Sequence, residues 1–162
     1  MMKKVLIIIL LSFSLLPVQA SYLLLPMDDA QKDHLKCYGI AFWVLENGSK
    51  LDWMLNYRGG SFCFAYSDLL EKECLIRNVS YEIIPDASYN KIVSDIGDPE
   101  VNMDVMKLEK APKVAVYSPK SKQPWDDAVT LVLTYSEIPY TCLLYTSPSP
   151  RDRTRSRMPS SA

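Results

Sequence analysis

The sequence predicts a mixed architecture. An α+β N-terminal part, built from a β-hairpin and helices, is followed by the opening strand and helix of an α/β domain. Three observations predict it. Two runs rich in aromatic and branched apolar residues flank an Asn47-Gly48 pair. An apolar stripe of helical period passes through Tyr89, Ile92, Val93 and Ile96. The segment between Lys113 and Tyr140 reads strand, polar loop, helix, strand, the order of a parallel βαβ crossover.

Residues 1–20 begin with Lys3 and Lys4, continue through an apolar run, and end in Pro17-Val-Gln-Ala20. Small residues at Val18 and Ala20 suit a signal-peptidase cut, and the run is shorter than the roughly 20 residues a membrane span needs. This pattern predicts a cleaved secretory signal peptide, hence an exported protein (periplasm, outer surface or secreted) with no transmembrane span after cleavage. No cysteine stands at the expected cut, which argues against a lipoprotein anchor there.

The mature chain opens with β signals. Residues 38–45 (Tyr-Gly-Ile-Ala-Phe-Trp-Val-Leu) and 51–57 (Leu-Asp-Trp-Met-Leu-Asn-Tyr) flank Glu46-Asn-Gly-Ser49. Asn and Gly both tolerate the positive φ of a type I′ turn, so a hairpin over 38–57 is predicted. In its second arm Leu51, Trp53, Leu55 and Tyr57 share one face, while Asp52, Met54 and Asn56 share the other. Phe62-Cys-Phe-Ala-Tyr66 reads as a third strand. Ser67 or Asp68 can cap a helix carrying Leu70, Cys74 and Ile76. Tyr81-Glu-Ile-Ile84 reads as a short strand, and Asp86 can cap the helix with the Tyr89–Ile96 stripe. Gly97 and Asp98-Pro99 end that helix.

Residues 98–112 mix Val101, Met103, Val105 and Met106 with charges and read as an irregular connector. Lys113-Val-Ala-Val-Tyr117 is a short strand expected to be buried. Ser118 to Pro124 is a polar loop. A helix over 125–136 is predicted, with Asp126 and Asp127 complementing its positive end and with Trp125, Ala128, Val129, Val132 and Tyr135 facing inward. Ile138-Pro-Tyr140 starts the next strand. The expected division is thus 1–20, 21–97, 98–112 and 113–141, with 142–162 set apart.

That last stretch is Pro-, Ser- and Arg-rich. Residues 142–152 resemble the translation of a transposase adapter used in sequencing libraries, and residues 156–162 resemble its outer end. The expectation is a non-native, disordered tail, and an authentic chain truncated at Thr141. Without the leader and tail, Lys+Arg fall from 18 to 12 and Asp+Glu from 19 to 18, so the formal charge moves from −1 to −6. An acidic chain argues against a nucleic-acid partner. Cys37, Cys63 and Cys74 remain. Their spacing matches no zinc pattern, and an odd count fixes no disulfide framework. They read as small buried hydrophobes.

Two segments are candidates for ligand binding. Ser118, Lys120 and Lys122 lie beyond the carboxyl end of a strand, where open α/β sheets bind ligands, although an ordinary polar crossover would look the same. Arg58, Gly59 and Gly60 let the backbone approach a ligand while Arg58 grips a carboxylate. The alternative there is a tight strand exit with Arg58 paired inside the protein. His34, the single histidine, reads as a solvated surface residue. Asn47-Gly-Ser49 and Asn78-Val-Ser80 have the form of glycosylation acceptors, but turn and helix-end chemistry accounts for both. The sequence assigns no metal, no cofactor and no catalytic residue.

The segments Asp52-Trp-Met-Leu-Asn-Tyr-Arg-Gly-Gly-Ser61, Pro99-Glu-Val-Asn-Met-Asp-Val-Met-Lys-Leu-Glu-Lys-Ala-Pro-Lys113 and Gln123-Pro-Trp-Asp-Asp-Ala-Val-Thr-Leu-Val-Leu-Thr-Tyr135 resemble a family of exported Bacteroidetes proteins commonly labelled asparagine synthetase B. The resemblance covers nearly all of residues 21–140 and implies the front part of a longer protein. A glutamine-dependent asparagine synthetase exposes an N-terminal cysteine, whereas the expected mature start is Ser21-Tyr22. Gly59-Gly60-Ser61 also lacks the Asp of an ATP-pyrophosphatase loop, so no catalytic residue carries over. The α/β opening is similar to flavodoxin-like and class I amidotransferase-like domains. Two expectations follow: an envelope binding or scaffold module, or an exported hydrolase or amidotransferase-like enzyme whose catalytic residues lie beyond Thr141.

Overall fold

The computed structural model describes residues 21–118 and 128–144. The expected leader, Lys120, Lys122, residues 125–127 and residues 145–162 lie outside the described residues. Twelve elements follow one another: β1 (Ser21–Leu25), α1 (His34–Glu46), β2 (Leu51–Leu55), a 3-10 turn (Tyr57–Gly59), β3 (Ser61–Ala65), α2 (Asp68–Ile76), β4 (Glu82–Pro85), α3 (Asp86–Ile96), β5 (Asp104–Leu108), β6 (Val114–Ser118), α4 (Ala128–Tyr135) and β7 (Tyr140–Leu144).

Strands β1 to β5 form one antiparallel sheet in the order β4-β1-β3-β2-β5. The first six regular elements run β-α-β-β-α-β with the pairs β1/β2 and β3/β4 each split by an intervening strand, which is the ferredoxin-like arrangement. Helix α3 then crosses to deliver β5 to the far edge. Period-two alternation sorts the strand residues onto two faces. Leu23, Leu25, Leu51, Phe62 and Phe64 pack with Cys37, Ile40 and Val44 of α1 and Leu70 and Cys74 of α2. Leu24, Met54 and Cys63 pack with Ile96, Tyr89, Ile92 and Val93 of α3. Interior strand β1 is covered on both sides, and Leu23, Leu24 and Leu25 are all fully buried. Burying a leucine side chain contributes about 1.5–3 kcal/mol, so this run anchors both layers.

The predicted 38–57 hairpin is not formed. Residues 38–45 lie inside α1, whose buried positions Cys37, Ile40, Ala41, Val44 and Leu45 follow helical spacing. Asp33 caps it by accepting from the Lys36 amide at 2.9 Å. A continuous apolar run fits a buried strand or a buried helix equally well; packing on the sheet selects the helix and the Asp33 cap marks its start. Asn47-Gly48 ends this helix instead of turning a hairpin. Gly48 takes φ 77, its amide donates to Leu45 O, and the Ser49 amide donates to Val44 O, each at 3.1 Å. This is the paired left-handed stop of a helix C-terminus. Asn78 (φ 56) closes α2 and Glu137 (φ 59) closes α4 in the same way.

Further expectations change as well. The 98–112 connector contains β5, paired with β2 from Leu51↔Leu108 to Leu55↔Asp104. Its charges suit a short edge strand. Helix α4 turns a different face inward: Thr130 and Ser136 are buried, whereas Ala128, Val129, Val132 and Tyr135 are exposed. Apolar on most sides, the helix takes its rotation from its dock on α1. From Val114 to Tyr117, Val116 is buried whereas Ala115 and Tyr117 are exposed. Strand β7 pairs parallel with β6 from Val114↔Tyr140 to Ser118↔Leu144, so it runs past Thr141. Cys142, Leu143 and Leu144 are ordered strand residues, because each finds a backbone partner on β6.

Strands β3 and β4 and helices α2 and α3 agree with their sequence signals, whereas β1 was not among the expected strands. Ser67 caps α2, accepting from the Leu70 amide. Helix α3 starts at Asp86 with its stripe on the sheet, although Pro85 is the capping residue and no side chain caps it.

Candidate functional site

The Arg58-Gly59-Gly60 segment is a strained elbow between β2 and β3. Asn56, Arg58, Gly59 and Gly60 take φ of 61, 46, 81 and 97, left-handed values that cost a non-glycine residue roughly 1–2 kcal/mol. The elbow is bound by the protein itself. Arg58 Nε donates to Asp28 at 2.6 Å and its Nη1 to Glu82 at 2.9 Å. The Met27 amide donates to Arg58 O at 3.1 Å. Trp53 Nε1 donates to Gly60 O, and Ser61 Oγ donates to Tyr57 O, both at 3.1 Å. The hydrogen bond from Arg58 holds the Asp28 carboxyl below the usual carboxylate range, and Arg58 rises further above its own ordinary value. Arg58 does grip carboxylates, and those described are Asp28 and Glu82. Gly59 sits against the Met27 carbonyl, where a Cβ would come within 2.3 Å.

Of the second candidate group, Ser118 is the last residue of β6; Lys120 and Lys122 lie outside the described residues. His34 is exposed at the start of α1, with Nε2 at 3.2 Å from Met27 O. The thiols of Cys37, Cys63 and Cys74 are free and fully buried. Burial pushes Cys63 and Cys74 up to about 12, and Cys37 higher still. Thiols held protonated are poor nucleophiles.

A site missed by the sequence reading lies where β6 and β7 begin. A cleft of about 410 Å3 opens between the C-terminal half of α1 (Phe42, Leu45, Glu46), the segment entering β6 (Lys110 to Val114) and the segment entering β7 (Pro139 to Thr141). Its volume falls in the range of small-molecule sites. Proline fixes φ in two of the three walls, at Pro112 and Pro139. Among the described residues no carboxylate pairs with Lys110 or Lys113, whereas Lys50 beside them is paired with Glu109 at 2.5 Å. The cleft is at the opposite end of the two strands from Ser118. Phe42 and Glu46 were hidden by the hairpin reading, which placed residues 38–45 on a strand and Glu46 in the turn after it.

The cleft walls are held in place by a polar contact on the same helix. Glu137, three residues before Tyr140, accepts from Lys36 at 2.6 Å and lies 3.4 Å from Arg77 Nη2. Tyr135 donates to Asp33, and the Lys36 ammonium lies 4.9 Å from the centre of the Tyr135 ring. Helix α1 therefore carries both the dock of α4 and one wall of the cleft.

No protein-family model matches the chain, and comparison with curated proteins and with solved structures gives no match. Among the described residues, no helix is long and apolar enough to cross a membrane.

Proposed function

We propose that the chain is the N-terminal part of an exported envelope protein, similar to those labelled asparagine synthetase B, and that its described portion is a binding module. The cleft between α1, the entry to β6 and the entry to β7 carries this reading. It is concave, has apolar and aromatic walls, and holds a few charged groups, the usual composition of a small-molecule site. Among the described residues, the thiols of Cys37, Cys63 and Cys74 fill the core, and Arg58 ties the elbow to Asp28 and Glu82. In this reading the module binds and does not catalyse, nucleic acid is not its partner, and the leader directs it out of the cytoplasm. The test is native mass spectrometry of the full chain recovered from the exported fraction. The expected result is an N-terminus at Ser21 and a one-to-one small-molecule adduct that Thr141→Trp, which fills the cleft, abolishes. A cytoplasmic chain with its leader intact overturns the export reading, and an adduct indifferent to Thr141→Trp overturns the binding site.

The parallel β6-α4-β7 unit favours a second reading. In this reading the unit is the opening of an α/β domain, flavodoxin-like or class I amidotransferase-like, and belongs to an exported hydrolase or amidotransferase-like enzyme inactive as this fragment. The chromosomal gene tests it. A Cys or Ser on a sharp strand-to-helix turn after codon 141, followed by a His, supports the enzyme; a continuation without them removes it.

A further inference from the structure

We infer that the α1–β6–β7 cleft takes a small organic monoanion with an apolar or aromatic body. The inference rests on the binding-module reading and specifies its ligand. Phe42 and Tyr140 supply aromatic surface and Leu45 aliphatic surface, which favours an apolar body over a fully hydrated polar one. Lys110 and Lys113 line the cleft as two basic residues, and Glu46 lines it as one acidic residue. The lining therefore carries a single net positive charge, in a chain whose formal charge from residue 21 to 141 is −6. A monoanion balances this set. The second charge of a dianion would find no uncompensated cation in the lining, because Glu46, the last residue of α1, and the negative C-terminal end of that helix already oppose the two lysines. A cation would meet both lysines.

The geometry also favours a preformed site. Lys110 and Lys113 flank Ala111-Pro112, and Pro139 stands beside Tyr140 on the other wall. Walls stiffened by proline lose little freedom when a ligand enters, which lowers the cost of binding. The contact of Glu137 with Lys36 and Arg77 holds the β7 wall against α1 before any ligand arrives.

The experiment titrates the full chain with 1-anilinonaphthalene-8-sulfonate, a monoanion with an aromatic body, and with N-phenyl-1-naphthylamine, its uncharged counterpart. Native near-ultraviolet circular dichroism is required of every variant. Saturable one-to-one binding of the sulfonate is expected, weakened at least about fivefold by K110E/K113E and by raised salt. The uncharged probe should be indifferent to both changes, and Lys91→Glu, remote on α3, should leave both probes unaffected. If Thr141→Trp blocks the sulfonate but K110E/K113E does not weaken it, the cleft binds and the anion assignment is wrong. If Thr141→Trp leaves binding unchanged, or binding does not saturate, the anion assignment and the binding-module reading both fall.

Discussion

The carbonyl oxygen of Ser136 occupies the space in which a side chain on Gly39 would begin: a Cβ there would lie 1.9 Å from it. Glycine inside a helix costs about 1 kcal/mol relative to alanine, so on local grounds Gly39→Ala should stabilise α1. The contact with α4 predicts the opposite. Because the obstructing atom is backbone, α4 must move, and a net loss of about 1–3 kcal/mol is expected. Urea denaturation of the two proteins decides between them; a more stable Gly39→Ala protein would show that α4 does not dock on α1 as described.

Glu137 holds that dock by charge while its backbone sits in the left-handed region. The hydrogen bond from Lys36 is the main reason its carboxyl lies below the ordinary range. A depressed folded value means that its contribution is fully present above the unfolded value of about 4.3 and is lost as the pH falls through the folded value. Glu137→Gln should therefore lower stability at pH 7 by about 1 kcal/mol and flatten the acid limb of the stability profile below about pH 5. Denaturation midpoints measured from pH 3 to pH 7 for both proteins read this directly. Parallel profiles would remove the charge argument.

The elbow offers a comparison of two substitutions at one residue. Arg58→Ala and Arg58→Gly both lose the ion pairs with Asp28 and Glu82. Only glycine relieves φ 46, so the Gly protein should be about 1 kcal/mol more stable than the Ala protein. Gly59→Ala should cost more than about 2 kcal/mol, since positive φ and the Met27 carbonyl oppose it together. Chemical denaturation at one pH ranks all three.

The four cysteines should separate by accessibility. Cys142 is partly exposed on β7, whereas Cys37, Cys63 and Cys74 are buried with raised thiol pKa values. At pH 8 a thiol-disulfide reagent should label one cysteine rapidly in the native full chain and the other three only as fast as the fold opens. Cys142→Ser should remove the fast phase. Rapid labelling of two or more thiols would contradict the packing of the core.

Much of the fold was legible where local chemistry and burial agree. The Tyr89–Ile96 stripe, the Ser67 cap, the strand after Gly60 and the β6-α4-β7 order were each readable, because a short segment carried its own period or its own stop signal. The hairpin failed where two local signals conflicted. Asn47-Gly48 serves a type I′ turn and a helix C-terminus equally well, since both need positive φ at glycine, and residues 38–45 are rich in strand formers. Helix α1 prevailed because burial of Cys37, Ile40, Val44 and Leu45 on the sheet outweighs intrinsic preference. Strand β5 was unreadable for a related reason: an edge strand carries charges, and its identity comes from β2.

Residues close together in the chain were enough to write the strand after Gly60, the Tyr89–Ile96 stripe and the helix ends at Asn78 and Gly97, whereas Gly48 read as a hairpin turn until α1 was in place. Tertiary structure alone decided that Arg58 is spent on Asp28 and Glu82, that α4 turns Thr130 and Ser136 inward, and that Phe42, Lys110, Lys113 and Tyr140 share one cleft. The reason is range. A cap or a stripe is written within a few residues, whereas a cleft brings together positions as far apart as Phe42 and Tyr140, whose meeting depends on how α4 docks at Gly39.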